Sequence, residues 1–468
     1  MANQPTILVI GGGLAGLSAS HTALDHGARV VLLDKKPNLG GNSVKASSGI
    51  NGANTEAQKK HGISDSVQLF YNDTETSAGT LSRPNLIQAL TANSAGALTW
   101  LTTQFKIDLS LVSRLGGHSV PRTHRGTGGA PGWAMTSALI KKLQEVESSQ
   151  FNRVRVRQGA KVIRLLEDGS GKIVGAEYEN EEGRYEERAD AVIIATGGYA
   201  ADFSDHGYLS KYRPDLFAFP TASGDHATGD GLLLATSLQK PAALLDIEKI
   251  QVHPTGFVDP KSPMAKTKFL AAEALRGAGA ILINGSGERF VNELERRDVV
   301  SGKMHEVIKA GEAPIRLILN EESSAALKTH CDFYLAKGLM KRYDSGEEFA
   351  IEAKLPLENL RNTFGSHTMY GEGKATDPLG KTYFDNSWYS VEKPVLVAEI
   401  TPVLHYTMGG ISVDSSARVL DSQGVPISGL YAAGEVIGGV HVRNRLGGSS
   451  LLEAVVFGRI AGETAASL

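Results

Sequence analysis

The sequence predicts an α/β fold: a Rossmann-like nucleotide-binding domain that carries a β-meander and is interrupted by an inserted α+β cap. Three observations lead there. The chain opens on a continuous apolar strand that runs into G-x-G-x-x-G and a helix. Strands of the same buried type recur at 187–200 and again near the C-terminus, ahead of a final helix. Between about 248 and 404 the pattern changes to mixed strands and charged helices such as "SGEEFAIEAKL". Segments 1–247 and 405–468 are therefore read as one domain and 248–404 as the cap.

In "TILVIGGGLAGLSASHTALDHGARVVLLDK", Thr6 to Ile10 forms a buried parallel strand, Gly27 ends the helix, and Arg29 to Leu33 forms the second strand, with Asp34 at its end. Gly11 makes the turn, Gly13 admits a pyrophosphate, and Gly16 lets helix and strand pack closely. The helix N-terminus faces the phosphates, and Asp34 stands at the ~20-residue spacing from which an acid meets a ribose hydroxyl. Further along, 151–190 reads as a meander that turns at Asp168-Gly169 and Glu182-Gly183. "ERADAVIIATGGYA" is another buried strand, and 225–240 is a loop leading into a helix. The segment 428–462 holds a strand, Gly434-Glu435, glycine-rich turns and a helix. With an acid after a C-terminal strand, this layout resembles an FAD protein more than an NAD dehydrogenase, and no second glycine motif marks an NAD(P)H domain.

Composition bounds the function. A chain of 468 residues suggests two domains, or one with an insertion, and 41% hydrophobic with 21% charged residues is ordinary globular material. The formal net charge of -3, without a basic block, excludes an obvious nucleic-acid surface. Cys331 is the only cysteine, which excludes an internal disulfide, a cysteine-ligated iron–sulfur cluster and a c-type haem motif; no metal site is expected. No apolar run approaches the ~18–20 residues that span a bilayer, so no membrane partner is expected. A strand begins almost at once, with no n-region or h-region, so the expected location is cytoplasmic, a trimmed mitochondrial or other targeting segment aside.

One stretch breaks the apolar pattern. "AAEALRGAGAILI" (271–283) holds Glu273 and Arg276 among small and apolar residues. Together with "IQVHPTGF" (250–257), "GERFVNELERRD" (287–298), "TPVLHYTMGG" (401–410), "VRNRLGGSS" (442–450) and "GGNSVKASSGINGA" (40–53), it closely resembles the soluble fumarate reductases, of the succinate dehydrogenase/fumarate reductase flavoprotein superfamily. The resemblance spans essentially the whole chain and is nearest to the fungal enzymes.

The resemblance implies one FAD per chain and reduction of fumarate to succinate, with a hydride from the reduced flavin and a proton from the protein. By the same resemblance His405 and Arg445 grip one carboxylate and His253 the other. Arg297 is the proton donor, and Glu273 and Arg276 are its relay from solvent. The FAD contacts fall to Gly11, Gly13, Ala15, Gly16, Asp34, Lys35, Asn42, Ser43, Ser48, Gly49, Asn51, Val162, Thr196, Gly197, Asp230, Glu435, Ser450 and Leu451. Two departures stand out. Ala272 occupies a position where bacterial relatives tend to carry a hydroxyl residue, and no histidine lies between His26 and His61, where covalent-flavin relatives carry theirs. The FAD is thus expected to be non-covalent, the chain a monomer, and the electron donor free reduced flavin or a separate reductase.

Two other readings share parts of this pattern. One is a relative that acts on a urocanate-like acid or a 3-ketosteroid, although a substrate with fewer carboxylates does not need Arg445 together with paired histidines. The other is a flavoprotein subunit of a membrane succinate dehydrogenase-type complex, against which the missing histidine counts.

Overall fold

The computed structural model describes residues 4–150 and 152–468; residues 1–3 and 151, which fall in the 1–247 segment, lie outside this description. A six-stranded sheet organises the nucleotide-binding part. In spatial order its strands are Arg418–Leu420, Pro426–Ala432, Ala191–Ile194, Thr6–Ile10, Arg29–Asp34 and Val154–Gln158. Only the first pair runs antiparallel; the other neighbours are parallel. Ile7, Leu8, Val9 and Ile193 are fully buried, as apolar runs covered on both faces require.

The helices Leu14–Asp25 and Ser449–Ala466 lie against each other beside this sheet. Their approach depends on small residues: a Cβ at Gly458 would press on the carbonyl of Ala15, and one at Gly462 on that of Ala19. The meander comprises Lys161–Glu167, Ile173–Asn180 and Gly183–Arg188, all antiparallel. It is shorter than the expected 151–190, because Val154–Gln158 joins the parallel sheet beside Arg29–Asp34 instead. This strand closes the sheet edge, where only one face needs apolar cover, so its V-R-V-R alternation suits that place equally well.

The cap is built on an antiparallel sheet ordered Ile250–Phe257, Val395–Thr407, Ile315–Leu319, Ile281–Ile283, with Lys341–Tyr343 also paired to Val395–Thr407. Alternate residues of these strands feed two separate cores. Leu282, Leu317 and Leu319 pack with Leu275, Val300, Met304 and Tyr334. Ile281, Ile283 and Ile318 pack with Phe349, Leu360 and Phe364. Both faces of the sheet are therefore covered by helices, which explains why "ILI" and "IRLIL" carry so little polar alternation. The strands Ile250–Phe257 and Val395–Thr407 cross between the two parts: Ile250 and Leu404 belong to the large nucleotide-domain core, Phe257 and Ile400 to the cap. The 404/405 boundary falls inside a continuous strand.

Candidate active site

The crossing ribbon is irregular where it matters. Gln251 pairs with Tyr406 and Val252 with Leu404, so His405 is an extra residue on its strand, a β-bulge. A second irregularity lies between His253 and Gly256. Bulges re-aim side chains, and here the His253 and His405 rings meet edge to face with centroids 5.0 Å apart. Thr255 N–H donates to His253 Nδ1 at 3.2 Å, which leaves the proton of the neutral ring on Nε2. That Nε2 is buried without a partner. Burial first, and then the nearby arginine charges, pushes both histidines well below their ordinary range, so both are neutral donors at pH 7.

The carboxylate of "AAEALRGAGAILI" is the hub of this site. Glu273 begins a short helix, Glu273–Gly277, and is 1% exposed. Arg297, at the start of the helix Arg297–Lys309, donates from Nε to Glu273 Oε2 at 2.7 Å and from Nη2 to the same oxygen. Arg276 Nη2 lies 3.4 Å from the other oxygen, Oε1, which also accepts Gly116 N–H at 3.1 Å. Arg276 is fully buried and donates to the Glu293 carbonyl at 2.6 Å. Burial alone would raise the Glu273 pKa, but the Arg297 and Arg276 charges prevail and hold it at about 2. This is no solvated helix-face pair.

Gln251 was not singled out by sequence. Its Oε1 accepts Arg297 Nη1 at 2.8 Å and Arg445 Nη2 at 3.1 Å, and its Nε2 donates to the Arg445 carbonyl at 2.7 Å. One amide thus spaces two guanidinium groups. The signal was present: positions 251 and 253 sit two apart on one strand, the period that puts both on one face. Burial, then repulsion from Arg297, lowers the Arg445 pKa to about 10.

A cavity of about 930 Å³ joins this cluster to the glycine cradle. His253, Arg297, His405 and Arg445 line one end. Gly11, Gly13, Ala15, Asp34, Lys35, Asn42, Ser43, Ser48, Gly49, Val162, Thr196, Gly197, Asp230, Glu435, Ser450 and Leu451 line the rest. Two of the expected contacts stand back from the wall, and a third is engaged by a protein partner. Gly16 lies behind it, where a Cβ would run into the Gly11 carbonyl. Asn51 bonds the Gly447 carbonyl at 2.8 Å and Ser449 Oγ at 3.0 Å, shaping the turn after Arg445 rather than facing the cavity. Lys35 lines the cavity but spends its ammonium on Asp230 at 2.8 Å. Glu273 and Arg276 likewise stand behind Arg297.

The cavity fits a flavin adenine dinucleotide. A Cβ on Gly13 would meet only Ser43 Oγ at 3.9 Å, so the backbone there is open to a pyrophosphate. Asp34 accepts Gly12 N–H at 2.7 Å and Lys36 N–H at 2.8 Å, which fixes it at the cradle rim with lone pairs to spare. Glu435 accepts Thr407 N–H at 3.0 Å, and burial raises its pKa to about 7, a carboxyl suited to sharing a proton with a hydroxyl.

Comparison with known proteins agrees. The FAD binding domain family matches residues 6–451. A fumarate reductase of Schizosaccharomyces pombe is 44% identical, with 100% of this chain and 90% of that protein covered. Fumarate reductase 1 of Saccharomyces cerevisiae is 41% identical, covering 98% of each. The fold also resembles the open conformation of a flavocytochrome c3 fumarate reductase, with a TM-score of 0.75 and 32% identity over 100% of this chain and 78% of that one. The chain belongs to the family of FAD-binding flavoproteins in which these fumarate reductases stand.

Proposed function

We propose that the protein reduces fumarate to succinate, as its relatives' names indicate, with the 248–404 segment acting as a cap over the reaction. The observation that carries this reading is charge. Arg276, Arg297 and Arg445 converge here, and among the described residues Glu273 is the one carboxylate ion-paired with any of them, so positive charge is in excess, the complement of a dicarboxylate. Two neutral histidines add N–H donors beside it.

Held by the cradle, Asp34 and Glu435, a bound FAD would supply the hydride. The chain's own residues do the rest. Arg445 and His405 hold one carboxylate and His253 the other, which fixes the alkene and polarises it. Arg297 delivers a proton to the carbon that does not receive hydride, and Glu273 and Arg276 restore that proton from the side away from the cavity. Gln251 keeps Arg297 and Arg445 apart and aimed. Ala272 offers no hydroxyl to the substrate, so His253 carries more of the second carboxylate. The FAD is held without a covalent link. The chain works as a cytoplasmic monomer that takes electrons from free reduced flavin or a separate reductase; among the described residues no helix is long and apolar enough to cross a membrane.

The test is anaerobic mixing of dithionite-reduced protein with unsaturated acids. Fumarate is expected to reoxidise the flavin with one equivalent of succinate formed, and urocanate or crotonate to do so far more slowly. Preferred reoxidation by urocanate would replace this reading.

A further inference from the structure

Glu453 lies on the helix Ser449–Ala466 among Leu452, Val455, Val456 and Phe457, and is 1% exposed. A carboxylate without partners is strongly disfavoured there. Its Oε2 accepts the Tyr406 hydroxyl and lies 3.1 Å from His441 Nε2, both residues being buried. The Tyr406 ring in turn carries the Arg445 guanidinium over its face, 4.3 Å from the centroid. A line of contacts therefore runs from His441 through Glu453 and Tyr406 to Arg445.

Arg445 is otherwise weakly held. Its Nη2 donates to Gln251 at 3.1 Å, its Nη1 to the Leu446 carbonyl at 3.3 Å, and its Nε has no partner. No carboxylate among the described residues forms an ion pair with it. A direct carboxylate would hold the cation but would occupy the N–H fork and cancel the charge needed for an anionic substrate. An aromatic face holds the cation and leaves the fork free. A phenol that donates to a carboxylate has a more electron-rich ring, which strengthens that hold. The bond runs in this direction because the phenol keeps its proton: burial, then the Glu453 charge, pushes the Tyr406 pKa well above its ordinary value.

We propose that Glu453, fixed by His441, is a positioning residue that acts through Tyr406 to hold and aim the unpaired Arg445 guanidinium at the substrate carboxylate. This rests on Arg445 being the carboxylate grip. The experiment measures fumarate KM, kcat and FAD content in the full-length holoenzyme for Arg445→Ala, Glu453→Gln, Tyr406→Phe and the Glu453→Gln/Tyr406→Phe pair. Each single change on the chain is expected to raise KM about five- to tenfold. For Glu453→Gln and Tyr406→Phe, turnover is expected to stay within about twofold, because the proton donor and the grip itself are untouched. The pair is expected to match either single change, since Glu453 acts only through the Tyr406 hydroxyl. If Arg445→Ala raises KM but Glu453→Gln does not, or if the pair equals the product of the singles, the proposal is overturned. If Arg445→Ala leaves KM unchanged, the grip itself fails and the positioning role with it. Should Glu453→Gln lose its flavin, Tyr406→Phe decides, and a wild-type KM there overturns the proposal.

Discussion

Two carboxylates flank the cavity and ionise in opposite ways. Glu273, at the substrate end, is held at about 2. Glu435, at the cofactor end, is raised to about 7. For both, burial is the largest influence and pushes upward; the difference is in the neighbours. Glu273 has two guanidinium groups against it, whereas Glu435 has Thr407 N–H and Oγ1–H as direct partners and a more distant Arg445. Inside a protein, then, the partner rather than the depth decides whether an acid is an anion. The consequence is a division of labour. Glu273 stays charged and fixes Arg297 through two hydrogen bonds to one oxygen. Glu435 takes up or releases its proton near neutral pH.

The largest effect is expected on the charged side. With Arg297 in the proposed role of proton donor, Arg297→Ala removes a positioned acid; such acids contribute about 10²–10⁴-fold, so turnover is expected to fall by at least about 10² in flavin-replete protein. Steady-state fumarate reduction with a viologen donor reads this directly.

A smaller effect separates the two acids by pH in flavin-free protein. The Glu435 pKa is raised on folding, from 4.5 to about 7, so its stabilisation is complete below about 4.5 and is lost as pH rises through 7. Glu273 is depressed from 4.5 to about 2, so its contribution is complete above about 4.5 and is lost only as pH falls through 2. Each difference is on the order of 3–4 kcal/mol for a shift of this size. Between pH 5 and 8, urea unfolding is expected to show wild type losing stability relative to Glu435→Gln, while its difference from Glu273→Gln stays level. Parallel curves for the two substitutions would erase the contrast.

The same contrast shows what a sequence reveals. The cradle was legible because strand, glycine turn, helix and terminal acid lie within one short stretch whose spacing states its purpose. Glu273 and Arg276 stood out because charges among small residues call for an explanation. Gln251 and Glu453 did not. An amide in a strand and an acid in a helix are unremarkable until the fold brings Gln251 to Arg445 and Glu453 to Tyr406 from distant parts of the chain. The bulge at His405 was equally hidden, because register belongs to a pair of strands and is not written in either alone. Val154–Gln158 was misplaced for the same reason: alternation announces a half-covered strand but not the sheet it joins.

The central claim is that Glu273, Arg276 and Arg297 act as one unit whose purpose is catalysis, not the stability of a helix. Steady-state fumarate reduction of Glu273→Gln, Arg276→Ala, Arg297→Ala and the Glu273→Gln/Arg297→Ala pair, each checked for bound FAD, tests it most directly. Glu273→Gln and Arg276→Ala are each expected to be at least about tenfold slower than wild type, since a charged hydrogen bond or ion pair in the relay is lost. The Glu273→Gln/Arg297→Ala pair is expected to be little slower than Arg297→Ala alone, because a chain broken at its end is not broken twice. Wild-type turnover in flavin-replete Glu273→Gln and Arg276→Ala would contradict the claim and return "AAEALRGAGAILI" to a purely structural role.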